Sequence, residues 1–287
     1  MTRKLGRITF IVVAVLSISL MVVHLYTRKQ MDNVVFKVVP ILSRLSSAGV
    51  KYKEMHLVHG ERDATAWVTL PDTVIKDNPA VIIFRGYNES LSDWIWFQKM
   101  LADSGIVSVT FDYGPQSDTI KKSGNSRLSE VTKDVQAIID SVQFICGNTP
   151  QLFLLGHSVG NAVMLEMYPA IDVPFIKGVI VCNAFASIKA WSVYHHELSP
   201  AMAFILPDYY DNTIAIRRVT QPILMLHSRA DSVNYYTDAL KIYAAGMGRK
   251  GEDIELVSFG HYDHNYIYRK AHFDYWTSII RFIRSKS

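Results

Sequence analysis

The sequence predicts an α/β fold, with a mostly parallel central sheet, helices on both of its faces and a transmembrane helix ahead of it. Three observations predict it. Short unbroken apolar runs such as "AVIIFRG" (Ala80 to Gly86) and "PILMLHS" (Pro222 to Ser228) read as strands buried on both faces. Segments with a helical apolar period lie between such runs, and strands alternating with helices imply a parallel sheet. The first thirty residues hold one long apolar run, apart from the rest of the pattern.

That run, Ile8 to Tyr26, is apolar except for Thr9, Ser17, Ser19 and His24. About 20 such residues cross a bilayer as a helix. A cleavable signal peptide would have a shorter apolar core and a small-x-small cleavage site, and no such site follows. Residues 1–30 are therefore expected to be an uncleaved single-pass anchor. Arg3, Lys4 and Arg7 precede the run and Arg28 and Lys29 follow it. The slight N-terminal excess of basic residues points to an extracytoplasmic domain.

Residues 31–53 are expected to be a connector of mixed character, and 54–287 the folded domain. "MHLVHGERDATAWVTLP" alternates on both sides of a Gly-Glu-Arg-Asp turn and predicts a β-hairpin. Ala80 to Gly86 is a strand, Ser92 to Ser104 a helix with Trp94, Phe97 and Leu101 on one face, and Ile106 to Gly114 a strand. Leu128 to Phe144 carries Val131, Val135, Ile138, Ile139 and Val142 on one helical stripe. A strand over Leu152 to Leu155, a glycine turn and a helix from about Asn161 follow. "IKGVIVCNAF", "PILMLHS" and "DIELVSF" are further strands, and Thr237 to Ala245 and "FDYWTSIIRFIRS" further helices. The aromatic, irregular stretch from about 187 to 219 interrupts the alternation and is expected to be a cap insertion.

The bulk properties exclude several classes. The 287 residues suit one large domain with additions. The net charge is +4 and the basic residues are dispersed, so nothing supports nucleic-acid binding. Cys146 and Cys182 have no CxxC or metal-ligand spacing and are expected to be buried free thiols.

The chemistry centres on "FLLGHSVGNAV", Phe153 to Val163. A Gly-x-Ser-x-Gly turn between a buried strand and a helix has a mechanical meaning. Gly156 and Gly160 let the strand reverse into the helix, which leaves Ser158 strained and exposed above the sheet edge. The helix N-terminus then directs free N–H groups at developing negative charge. An acid and a base should follow in that order. Asp231 lies a few residues past the strand "PILMLHS". His261 and His264 lie past the last strand, in "LVSFGHYDHNY". Both acid and bases therefore sit beyond carboxyl ends of strands, where open α/β sheets place their sites.

With these residues in view, the chain resembles the α/β-hydrolases over about residues 54 to 287. Within them it resembles the often membrane-anchored serine hydrolases that include acyl-protein depalmitoylases and lysophospholipid or monoacylglycerol lipases. Arg85-Gly86-Tyr87-Asn88 matches the family's oxyanion loop, and Phe111-Asp112-Tyr113-Gly114 with Ser117 its "fDYrGyGkS" segment. "DYYDNTIAIRRVTQPILMLHSRADSV" matches the stretch before its acid. The resemblance implies Ser158 as nucleophile, Asp231 as the acid that orients the base, and the backbone N–H groups of Tyr87 and Val159 as the oxyanion hole. Arg85 departs from the pattern, which has His there. His261 follows a glycine as in a family "GH", and His264 precedes Asn265 as in the subgroup's "HN". Chain order admits both, and His264 is the preferred base.

The expected activity is cleavage of a carboxylic ester or thioester with an apolar, lipid-like or acylated substrate, through an acyl-serine intermediate and without cofactor or metal. A serine peptidase or amidase of the same fold is the first alternative, and a non-catalytic membrane-tethered binding domain the second. His261-x-Asp263-His264 also matches the tail of a metallo-hydrolase motif, but Phe259 stands where its first histidine belongs.

Overall fold

The computed structural model describes residues 2–37, 39–59, 62–73, 78–114, 127–147, 151–171, 174–205, 208–251, 253–269 and 273–287. Ser117, and Gly60 and Glu61 of the expected Gly-Glu-Arg-Asp turn, lie outside them.

The described residues build an eight-stranded sheet in the order β1-β2-β4-β3-β5-β6-β7-β8. Strands β1 (Lys51–His59) and β2 (Arg62–Leu70) form the antiparallel hairpin that the alternation predicts. β2 joins antiparallel to β4 (Val107–Phe111). From β4 onward the neighbours β3 (Pro79–Phe84), β5 (Gln151–His157), β6 (Ile176–Cys182), β7 (Ile223–Ser228) and β8 (Ile254–Phe259) are all parallel. With β4, all six therefore end on the same edge.

The unbroken apolar strands are buried on both faces, and the two-residue period divides their side chains. Val81, Ile83, Phe153 and Leu155 pack on one face with Phe97 and Leu101 of α2 (Ile95–Asp103) and Tyr275, Ile279 and Ile283 of the C-terminal helix. Ile82, Phe84 and Leu154 point to the other face. There they meet the predicted stripe Val131, Val135, Ile138, Ile139 and Val142 of α3 (Arg127–Cys146), together with α4 (Val159–Met167). Cys146 and Cys182 are free and buried.

The segment between β6 and β7 carries α5 (Ile188–Tyr194), α6 (Pro200–Ile205) and α7 (Asn212–Ala215). The remaining helices are α8 (Tyr236–Met247), α9 (Tyr266–Arg269) and α10 (Phe273–Lys286).

The N-terminal helix α1 (Thr2–Val35) includes a segment, Gly6–Asn33, long and apolar enough to cross a membrane. It runs past the anchor end expected at residue 30, and its last residue Val35 and the next, Phe36, are buried in the core. β1 also starts ahead of residue 54, because Lys51 to Lys53 pair with Val68 to Leu70. Apolar side chains of the expected connector thus serve the domain: Leu45 is fully buried against Trp67 and Leu91.

Candidate active site

Ser158 stands between the last residue of β5, His157, and the first of α4, Val159. Its backbone is at φ 51°, ψ −122°, a conformation that costs roughly 1–3 kcal/mol for a residue with a Cβ. The surrounding backbone imposes it. A side chain at Gly160 would run into the carbonyls of Phe84 and Arg85, and one at Gly156 into the backbone of Asn161. These contacts explain both glycines: β5 must reverse into α4 while α4 packs directly on the end of β3. The helix therefore begins two residues earlier than its apolar pattern indicates. Asn161 locks the turn, donating from Nδ2 to the carbonyls of Ser158 (3.0 Å) and Cys182 (2.8 Å).

The loop after β3 lies over the serine. A Cβ built on Gly86 would be 3.1 Å from that of Ser158. Tyr87 follows Gly86, and Val159 as first residue of α4 has no intrahelical acceptor for its N–H. Both N–H groups expected of an oxyanion hole therefore sit on segments that converge at Ser158.

Asp231 and His264 are brought together, 33 residues apart in sequence. His264 Nδ1 is 2.7 Å from Asp231 Oδ2. The other carboxylate oxygen accepts the N–H groups of Val233 and Asn234, both at 2.9 Å. Burial alone would raise the Asp231 pKa. The hydrogen bond and charge of His264, with the Asn234 N–H, outweigh burial and hold it below the ordinary carboxylate value. Asp231 does not cap α8, whose N-cap is Tyr235. His261 is exposed and turns its ring onto Tyr262, with centroids 4.4 Å apart. The acid thus engages His264 and not His261. Asp263 is exposed as well, and among the described residues no three His, Cys, Asp or Glu side chains are grouped as metal ligands.

Several residues that the sequence reading did not single out hold this arrangement. His157 Nε2 is 2.9 Å from the carbonyl oxygen of His264, and its Nδ1 is 2.6 Å from Oε1 of Glu89. Glu89 also accepts the N–H of Gly86 (2.6 Å) and Nε1 of Trp94 (3.0 Å). Burial opposes both charges of this pair. The mutual attraction and hydrogen bond prevail, lowering Glu89 and raising His157. Asn183, at φ 47° just past β6, donates from Nδ2 to the His264 carbonyl at 2.8 Å. Its Oδ1 accepts from Tyr275 Oη at 3.1 Å, and Asn234 Nδ2 donates to its carbonyl at 2.6 Å. His157 lies inside the glycine-serine motif and Glu89 three residues after the loop glycine. Those positions were the only signals available.

Arg85, which stands in place of the family's histidine, is buried and stacks 4.5 Å above the Tyr113 ring. It donates to the carbonyls of Glu89 (2.7 Å) and Lys37 (2.9 Å). In the segment between β6 and β7, Trp191 Nε1 and His195 Nε2 reach the carbonyl of Val233, both at 2.9 Å. Tyr210 is buried and donates to Asp32 at 2.8 Å.

Comparison with known proteins fits this geometry. Residues 76–215 match the family model described as "Serine aminopeptidase, S33". The uncharacterized protein YfhR of Escherichia coli (strain K12) is 27% identical over 169 residues, 56% of this chain and 57% of that protein. The chain thus spans just over half the length of that curated relative. The esterase Pf2001 of Pyrococcus furiosus superposes with a TM-score of 0.64 at 13% identity, covering 87% of this chain and 97% of its own. Est1E of Butyrivibrio proteoclasticus gives 0.57 at 15% identity, covering 81% and 96%. An acylaminoacyl peptidase of Pyrococcus horikoshii gives 0.57 at 14% identity, covering 83% of this chain and 42% of its own. The sheet order, the strained serine between β5 and α4 and these likenesses lead to one conclusion: the chain has the α/β-hydrolase fold.

Proposed function

We propose that the protein is a membrane-anchored serine hydrolase that cleaves a carboxylic ester or thioester with an apolar acyl chain. One observation carries the reading: a serine held at positive φ beneath the Gly86 loop shares its corner with a histidine bonded to a buried carboxylate. With Nδ1 committed to Asp231, Nε2 of His264 is the ring nitrogen that accepts a proton. Ser158 Oγ attacks the acyl carbon and passes its proton to that nitrogen. The carbonyl oxygen becomes an oxyanion held by the Tyr87 and Val159 N–H groups, each donor worth roughly 3–4 kcal/mol in the transition state. Collapse expels the alcohol or thiol, which takes the proton from His264. Water then enters by the same route and releases the acid, with His264 acting first as base and then as acid. Asp231 stays ionised and stabilises the imidazolium.

The peptidase reading draws on the family model's description and on the acylaminoacyl peptidase likeness. An aminopeptidase needs a carboxylate for the substrate's ammonium group. Two described carboxylates beside Ser158, Glu89 and Asp231, are each already held by a histidine and so do not offer that partner, which favours the ester reading. Labelling with a fluorophosphonate probe tests the nucleophile. Wild type is expected to label and folded Ser158→Ala is not. Labelling of Ser158→Ala, or none in folded wild type, overturns the proposal. Comparing p-nitrophenyl acyl esters with amino-acid p-nitroanilides then separates ester from amide cleavage.

A further inference from the structure

The end of α1 is built into the rim of the candidate site on two sides. On one side, Phe36 stacks edge-on against Tyr113 with ring centroids 5.4 Å apart, and the Lys37 carbonyl accepts from Arg85. Lys37 Nζ donates to Asn88 Oδ1 at 2.9 Å and lies 5.3 Å from the Tyr87 ring centroid. The residues just past α1 therefore touch Arg85, Tyr87 and Asn88 of the loop over Ser158. On the other side, Tyr210 holds Asp32, and Tyr209 donates to the carbonyl of His24 at 2.8 Å. The last three turns of α1 thus run from the segment between β6 and β7 to the Gly86 loop.

Length places the membrane. A hydrocarbon core of about 30 Å takes about 20 helical residues, which matches Ile8 to Tyr26. His24 falls in the last turn of that run, so Tyr209 meets the helix at the membrane boundary. From Tyr26 to Val35 the helix rises only about 14 Å. Arg28 and Lys29 follow at headgroup height, where cations are favoured. The short helix α6 ends four residues before Tyr209. It carries no charge and turns Met202 and Phe204 outward, Phe204 being 91% exposed while Ala203 packs inward. Apolar side chains this exposed occur elsewhere on the domain, Phe144 at 88%; what sets α6 apart is its place beside the boundary of the apolar run of α1, where a bilayer interface accommodates such side chains.

We infer that α6 is seated in the surface of the bilayer that α1 crosses, and that the site takes its acyl ester from that same membrane. The first half rests on α1 crossing a membrane and the second on the serine hydrolase reading. With the domain pinned to the helix at His24, Asp32 and Lys37, the catalytic edge has a fixed height and tilt above the lipid. A chain already anchored beside the site pays little translational entropy to reach it.

The test uses the full chain in phosphatidylcholine–phosphatidylglycerol vesicles. A nitrobenzoxadiazole fluorophore is attached through Phe204→Cys. Cys146 and Cys182 are buried, and burial pushes the Cys146 thiol up to about 11, so both native thiols stay unlabelled. The expected result is blue-shifted emission that nitroxide-bearing lipids quench. Emission as in water, with no quenching, overturns the docking whether or not the protein is active. The second arm compares hydrolysis of a long-chain fluorogenic ester in the same vesicles with that of a soluble acetate ester. Phe204→Glu is expected to slow the first about tenfold and leave the second unchanged. Equal effects on both overturn the same-membrane substrate. A fluorophore in lipid with neither ester hydrolysed would instead sink the hydrolase reading and leave the docking standing.

Discussion

His157 Nδ1 lies 2.6 Å from Glu89 Oε1, and the two buried side chains bridge parts of the chain 68 residues apart. Through its second oxygen Glu89 holds the N–H of Gly86, and through Nε2 His157 holds the backbone of His264. One pair therefore sets the loop above the serine and the loop that carries His264.

Removing one partner leaves a buried charge without compensation. Glu89→Gln is expected to cost about 3–5 kcal/mol in a urea titration. The effect should depend on pH, with a sign fixed by the two shifts. Glu89, lowered, stabilises above the ordinary carboxylate range and loses this as pH falls through its own pKa. His157, raised, stabilises fully below the ordinary imidazole range and loses this as pH rises through its raised pKa. The wild-type advantage over Glu89→Gln should therefore peak between the two values and shrink on either side. An advantage that keeps growing with pH above the raised His157 value would contradict the charged pair.

The two histidines of the last loop should behave differently. His264→Ala removes the partner of Asp231 and is expected to lower kcat by about 10⁴-fold or more. His261→Ala touches an exposed ring and should leave kcat within about twofold. Steady-state kinetics on a soluble p-nitrophenyl ester reads both, and the reverse ranking would reassign the base.

Asp231→Asn keeps the shape of the carboxyl group and removes its charge. The expected loss is about 10⁴-fold in kcat, because the amide no longer favours the productive tautomer of His264 or its cation. Unchanged KM with reduced kcat would mark the effect as one on the transition state.

Gly160→Ala tests the elbow as packing. Its methyl group would meet the Phe84 carbonyl, which belongs to β3 and has little room to move. The expected cost is about 1–3 kcal/mol, measured by chemical denaturation, with a loss of fluorophosphonate labelling as Ser158 shifts. Stability equal to wild type would mean that α4 does not press on β3 as described.

The sequence by itself determined the strands, most of the helices and the serine turn, because these depend on local periodicity and on glycines read against their neighbours. The runs around Ile82, Leu154 and Leu224 announce strands buried on both faces. Tertiary structure decided the rest. Asp231 could select between His261 and His264 only once the loop after β8 was folded against β7, since both histidines lie beyond the same strand. The pair Glu89–His157, and Asn183 on the backbone of His264, left no pattern in the sequence, because their partners are 68 and 81 residues away. The same holds for α1. Its apolar run is legible in one dimension, but the grip of α1 on Tyr209 and Tyr210, and of Lys37 just past it on Arg85, joins residues 48 to 185 positions apart, and only packing brings such residues together.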